Sequence, residues 1–70
     1  MSVVFRIELE READGRWIAE VVELPGLLAY GESQDDAIAR VKALALCIVA
    51  GRLENEEAGR EYLSTSFAAA

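Results

Sequence analysis

Leu24-Pro25-Gly26-Leu27-Leu28-Ala29-Tyr30-Gly31-Glu32-Ser33-Gln34-Asp35-Asp36 carries a turn, a short strand and a helix start in immediate succession, and its reading decides the fold class. Pro25 presets φ for the second position of a type II turn, and Gly26 supplies the positive φ of the third. Leu27 to Gly31 then has room only for a short strand. Ser33 opens a helix, with Asp36 three residues on as the acid of a capping-box variant. Glu32, Asp35 and Asp36 lie near the positive end of the helix dipole, where an anion is favourable by about 0.3–1 kcal/mol.

Upstream, Val3 to Glu10 alternates Val3, Phe5, Ile7 and Leu9 with Val4, Arg6, Glu8 and Glu10, the period-two pattern of a half-buried strand. Trp17 to Val22 is a returning strand with weaker alternation. Between them Asp14-Gly15 reads as a hairpin turn with both central residues at positive φ. Downstream, the helix is expected to run to about Ala50, with Gly51 as a left-handed terminator. Ala37, Ile38, Val41, Leu44, Ala45, Ile48 and Val49 form its core stripe at 3.6 residues per turn. Arg52 to Arg60 reads as a loop or one short helical piece. Glu61 to Ala68 has strand character and would return parallel to the first strand, in the order 3-2-1-4. The expected fold is therefore one α+β domain over residues 1–70: a three-stranded antiparallel meander, one amphipathic helix and a fourth strand (β-β-β-α-β).

Composition bounds the function. Seventy residues leave no room for a second domain, and a chain this short buries only about 60% of its unfolded surface. Yet 53% of the residues are hydrophobic. The helix face opposite the stripe carries Ala39, Ala43, Leu46, Cys47 and Ala50, where a solvated helix would show Lys and Glu. With Trp17 and Tyr30, these residues are read as an interface for a second subunit or a partner chain, making the protein a homo-oligomer. The net charge of −6 argues against direct nucleic-acid binding. The longest apolar run, Ala43 to Ala50, falls far short of the roughly 18–20 residues of a membrane span. The N-terminal Met-Ser-Val-Val-Phe-Arg lacks a signal-peptide pattern, and the single cysteine fits a reducing compartment, so a cytoplasmic location is expected.

Reactive groups do not assemble. There is no histidine, the usual general base and metal ligand. Asp35-Asp36 diverge on a helix and read as first-turn stabilisers. Glu8 and Glu20 read as cross-strand neighbours on a solvated face. Ser33 is spent as a cap, and Cys47 sits where the helix dipole disfavours a thiolate. Gly26 and Gly31 have GxxxxG spacing, but Glu32-Ser33 replaces the Lys-Ser of a phosphate loop. No enzyme activity, cofactor or metal is expected. A degenerate metal-dependent nuclease enters only by fold analogy.

Asp14-Gly15-Arg16-Trp17-Ile18-Ala19-Glu20-Val21-Val22-Glu23-Leu24-Pro25-Gly26, followed by Ala29-Tyr30-Gly31-Glu32-Ser33-Gln34-Asp35-Asp36-Ala37, resembles the HicB antitoxin family. The family pattern joins a Gly and an aromatic to an acidic-Leu-Pro-Gly turn, then Gly-Asp-Thr and an acidic-Ala helix start. Here Glu23-Leu24-Pro25-Gly26 and Gly31-Glu32-Ser33 correspond, with Glu for Asp and Ser for Thr. The resemblance spans about residues 3–50. It implies a ββαβ-type, partial RNase-H-like fold that commonly self-associates and neutralises HicA, a small basic toxin that cleaves mRNA. Many members continue into a DNA-binding domain. This chain ends at residue 70 without one, so no transcriptional repression by the chain alone is expected. The alternative expectation is a stand-alone oligomeric module that binds another protein or a ligand without a toxin partner.

Overall fold

The computed structural model describes residues 3–54 and 64–70. Its elements are β1 (Val3–Arg11), β2 (Trp17–Val21), β3 (Leu28–Gly31), α1 (Gln34–Glu54) and β4 (Thr65–Ala69). They form one helix on a four-stranded mixed sheet in the order β3-β2-β1-β4. β1–β2 and β2–β3 pair antiparallel, and β4 lies parallel to β1. The expected α+β architecture, strand order and fourth strand are all present. β4 begins at Thr65 and runs one residue past the expected end, to Ala69; residues 61–63 of the expected strand, and residues 55–60 of the expected loop or helical piece, lie outside the described residues.

The alternation of β1 sorts the sheet into two faces. Phe5 and Ile7 are buried, while Val4, Arg6, Glu8 and Glu10 are exposed. The registers Ile7↔Val21, Leu9↔Ala19 and Ala19↔Ala29 extend the inner face across β2 and β3. Phe67 joins it opposite Phe5, with ring centroids 5.8 Å apart. Leu24, buried in the turn after β2, closes one end of the core. From the helix only Ala37, Val41, Ala45 and Val49 are buried, one residue per turn, with Ile38 and Ile48 partly covered at the sides.

That row of small and β-branched residues lets the helix sit close to the sheet. The tightest point is Gly31, which is buried. A Cβ built there would collide with the backbone nitrogen of Ala37. Only a residue without a side chain fits between β3 and the first turn of α1. Close seating also corrects the expected stripe. Leu44 was placed in the core, but it is 43% exposed. Since the helix rests on Val41 and Ala45, a residue one step round is carried to the flank beside β3.

Two turn assignments need correcting. In the first hairpin, the Gly15 amide donates to the Glu12 carbonyl at 3.0 Å, so Ala13 and Asp14 are the central residues. Gly15 follows them at φ 92°, the arrangement of a three-residue loop with a glycine bulge. The second correction concerns Gly51. It is not a left-handed terminator: the helix passes through it to Glu54, and its φ is not positive. Glycine permits a left-handed cap without imposing one, and Arg52 favourably occupies the negative end of the dipole. The type II turn stands as expected. Gly26 has φ 86°, and the Leu27 amide donates to the Leu24 carbonyl at 3.0 Å.

Two glycine substitutions test this geometry in opposite directions. Gly31→Ala should lower unfolding stability by about 1–3 kcal/mol, because helix and strand must separate to admit the methyl group. Gly51→Ala should raise it by about 0.5–1 kcal/mol, because a helical glycine with open space around it gains from the restricted unfolded chain. Urea unfolding followed by circular dichroism reads both.

Candidate functional site: two uncovered surfaces

One face of the sheet has no layer on it among the described residues. On β1 it presents Val4, Arg6, Glu8 and Glu10; on β2, Ile18 and Glu20; on β3, Leu28 and Tyr30. Glu8 stands directly opposite Glu20, and Glu10 opposite Ile18. Like charges directly opposed across an antiparallel pair are destabilising. Among the described residues neither Glu8, Glu10 nor Glu20 enters an ion pair, whereas Glu23, Asp14 and Asp36 do. A shallow depression lined by Glu8, Leu9, Glu10, Ile18 and Glu20 lies in this anionic centre.

The margins show what a satisfied acid looks like in this protein. The Glu23 carboxylate accepts from Arg6 Nε and from the Arg6 amide, each at 2.7 Å. The Arg6 guanidinium, then its backbone N–H, hold the Glu23 carboxyl below its ordinary pKa. Asp14 accepts from the Arg16 amide at 3.0 Å and from Arg16 Nε at 2.8 Å, which lowers its pKa in the same way. Arg16 in turn lies over the Tyr30 ring, 4.8 Å from its centroid. At the helix start, Ser33 Oγ accepts the Asp36 amide at 3.1 Å. The Asp36 carboxylate accepts the Glu32 amide and Arg40 Nε, both at 3.1 Å, and its pKa is lowered, chiefly by the Glu32 amide. The capping role expected for Ser33 and Asp36 is thus seen atom by atom, with the return bond reaching one residue beyond the cap.

The second surface is the flank where α1 overhangs β3, the free edge of the sheet. An open groove of about 520 Å³ runs along it, lined by Leu28, Tyr30, Arg40, Ala43, Leu44 and Cys47. No acid lines it. On the other side of the helix, Ile7, Leu9, Ile38, Lys42 and Phe67 line a smaller apolar cleft of about 160 Å³. Lys42 Nζ lies 5.4 Å from the Phe67 ring there.

The seven residues expected at an interface divide among these places. Tyr30, Ala43 and Cys47 come together on the β3 flank, and Cys47 is exposed. Ala39 and Ala50 are exposed elsewhere on the helix, and Leu46 is 49% exposed. Leu46 follows Leu44 by two residues, which carries it about 160° round the helix, away from the groove. Trp17 is not on an outward face. It pairs with Arg11 and Gly31 on the inner side of the sheet, half-buried and packed against the core. Leu28 and Leu44 were missed, because Leu28 reads as part of a strand and Leu44 as core; only the lateral position of the helix reveals them. No helix among the described residues is long and apolar enough to cross a membrane. Comparison of the chain with known protein families, with characterised proteins and with solved structures finds no match.

The marginal carboxylates make stability depend on acid. Their folded pKa values lie below the unfolded ones, so their contribution is complete above the ordinary carboxylate range of about 4. It is lost as pH falls through the depressed values. The thermal midpoint of the wild type should therefore drop below about pH 4, and Glu23→Gln should show a shallower acid limb in scanning calorimetry.

Proposed function

We propose that this chain is a HicB-like antitoxin module, which neutralises a HicA-type mRNA-cleaving toxin by holding that basic protein against the open face of its sheet. The observation that carries the reading is the row of unpaired acids on that face: Glu8 opposite Glu20, with Glu10 beside them. Folding gains nothing from that juxtaposition. A cationic partner converts its repulsion into attraction, and complementary potentials speed encounter and exclude wrong partners. Exposed apolar groups flank the acids, with Val4 48%, Leu28 39% and Tyr30 43% exposed. Apolar anchors beside charge are what a protein-binding patch needs. The resemblance carried by Glu23-Leu24-Pro25-Gly26 and Gly31-Glu32-Ser33 supplies the partner class, and the β-β-β-α-β order with β4 beside β1 agrees with the fold that resemblance implies. Inhibition by this means requires no reactive group on the module, only occlusion of the toxin's working surface.

A second reading, an oligomeric module with no toxin partner, is favoured by the acid-free groove along β3 and α1. The two are separated by co-expression with the product of the adjacent reading frame. The antitoxin reading predicts relief of growth arrest and a complex on a sizing column; neither would appear if the module acts without a toxin.

Charge reversal at one position gives a sharper test. Glu20→Lys removes the clash with Glu8 and should stabilise the isolated chain by about 0.2–1 kcal/mol. The same change should slow association with the basic partner by about tenfold or more at low salt, with the difference shrinking as salt rises. A variant that gains stability and keeps its association rate would remove the sheet face from the binding site.

A further inference from the structure

We propose that two copies of this chain join edge to edge through β3, continuing the sheet across a two-fold axis and packing α1 against α1 of the partner. The inference goes beyond the toxin-binding reading: it shares Leu28 and Tyr30 with the open face but rests on the β3 edge and the α1 flank, not on the acids. It starts from the ladder. The Val21 amide donates to the Leu27 carbonyl at 3.2 Å, so Leu27 is bonded towards β2. Antiparallel alternation then turns the backbone groups of Ala29 and Gly31 towards β2, and those of Leu28 and Tyr30 outwards. An edge with outward amides is a template for another strand.

The outward groups specify the register. A two-fold that uses both residues sets Leu28 against the partner's Tyr30 and Tyr30 against the partner's Leu28. Ala29 then lies opposite the partner's Ala29. Each Leu–Tyr pair exchanges two N–H···O bonds. Leu28 and the partner's Tyr30 also meet on the outer face, an aliphatic–aromatic cross-strand pair that stabilises sheets.

The helices fit the same axis. α1 packs chiefly on β2 and β3, so its midline runs between them. Strands lie about 4.8 Å apart, which puts the helix about one spacing from an axis half a spacing beyond β3. Two helices so related are about 10 Å apart, within the range for direct helix packing. The side chains facing across are Arg40, Ala43, Leu44 and Cys47. Ala43 and Cys47 are small enough for that approach, and Leu44 fills the space between.

Charge selects a second copy as the occupant. Two chains of net charge −6 repel unless they meet where the acids are not. Among the described residues the groove has no acidic lining, and its one lining cation, Arg40, is already paired with Asp36 of its own helix. A foreign cationic partner would find no anion to hold there. A dimer of ordinary size takes about 800 Å² from each copy, roughly one sixth of the 4717 Å² surface of this molecule.

Sedimentation equilibrium of the full chain over 1–200 μM tests this, with circular dichroism confirming the fold of each variant. The wild type should approach twice 7.6 kDa. Leu44→Lys sets two charges at the axis and should weaken the dimer about a hundredfold. Tyr30→Pro removes an outward amide without taking a bond from β2, and should do the same. Leu46→Lys, the same change in charge on the far side of the helix, should leave the dimer intact. A wild type that stays monomeric throughout overturns the proposal. So does a dimer lost with Leu46→Lys but kept with Leu44→Lys and Tyr30→Pro.

Discussion

The close contact between Gly31 and the first turn of α1 sets the rest of the structure. With no Cβ at Gly31, the amide of Ala37 can approach the strand, and Val41, Ala45 and Val49 follow as a narrow row of contacts. A helix seated so tightly on β2 and β3 cannot also cover the whole sheet. Its flank overhangs the free edge of β3, and the cleft beside Phe67 stays open on the other side. In a chain this small, the core takes Phe5, Val21 and Val41 as its largest fully buried side chains. Leu44 is left at the surface because the seating has no room for it, Leu28 and Tyr30 because strand alternation turns them to the open face, and Leu46 because it lies on the far side of the helix.

Charge is laid out with the same economy. At the turns and the helix start, carboxylates are spent on local bonds: Asp14 on Arg16, Asp36 on Glu32 and Arg40, Glu23 on Arg6. These are exposed contacts of small individual worth. In the middle of the open sheet, Glu8, Glu10 and Glu20 are given no such partner. The molecule thus separates an anionic face from a neutral flank. On the proposed reading, the face meets a basic protein and the flank meets another copy. Joining two copies through β3 would place both anionic faces on one continuous sheet.

Most of the fold was legible because each boundary carries local chemistry that tertiary structure had no reason to override. The alternation of β1, the Pro25-Gly26 turn and the Ser33 cap each act within a few residues. The misread positions are those where the answer lay elsewhere in the chain. Gly51 can end a helix or continue it, and nothing adjacent decides which. Leu44 falls on the core stripe of an ideal helix, and only the contact at Gly31 shifts it outwards. Asp14-Gly15 has the composition of a two-residue turn, yet the bond from Gly15 to Glu12 makes a wider loop. For the candidate surfaces, the apolar character of the helix was visible in Ala43 and Cys47, but its division between two flanks was not. Trp17 was read with Tyr30 as an interface residue, and the register puts it on the core side of the sheet, half-buried.

Amide hydrogen exchange at increasing protein concentration tests most directly whether the helix seating turns the β3 edge into the joining surface. The account predicts that the amides of Leu28 and Tyr30 exchange more slowly as concentration rises, while those of β4, the opposite edge, do not change. Concentration-independent exchange at Leu28 and Tyr30, or protection that grows along β4 instead, would contradict it.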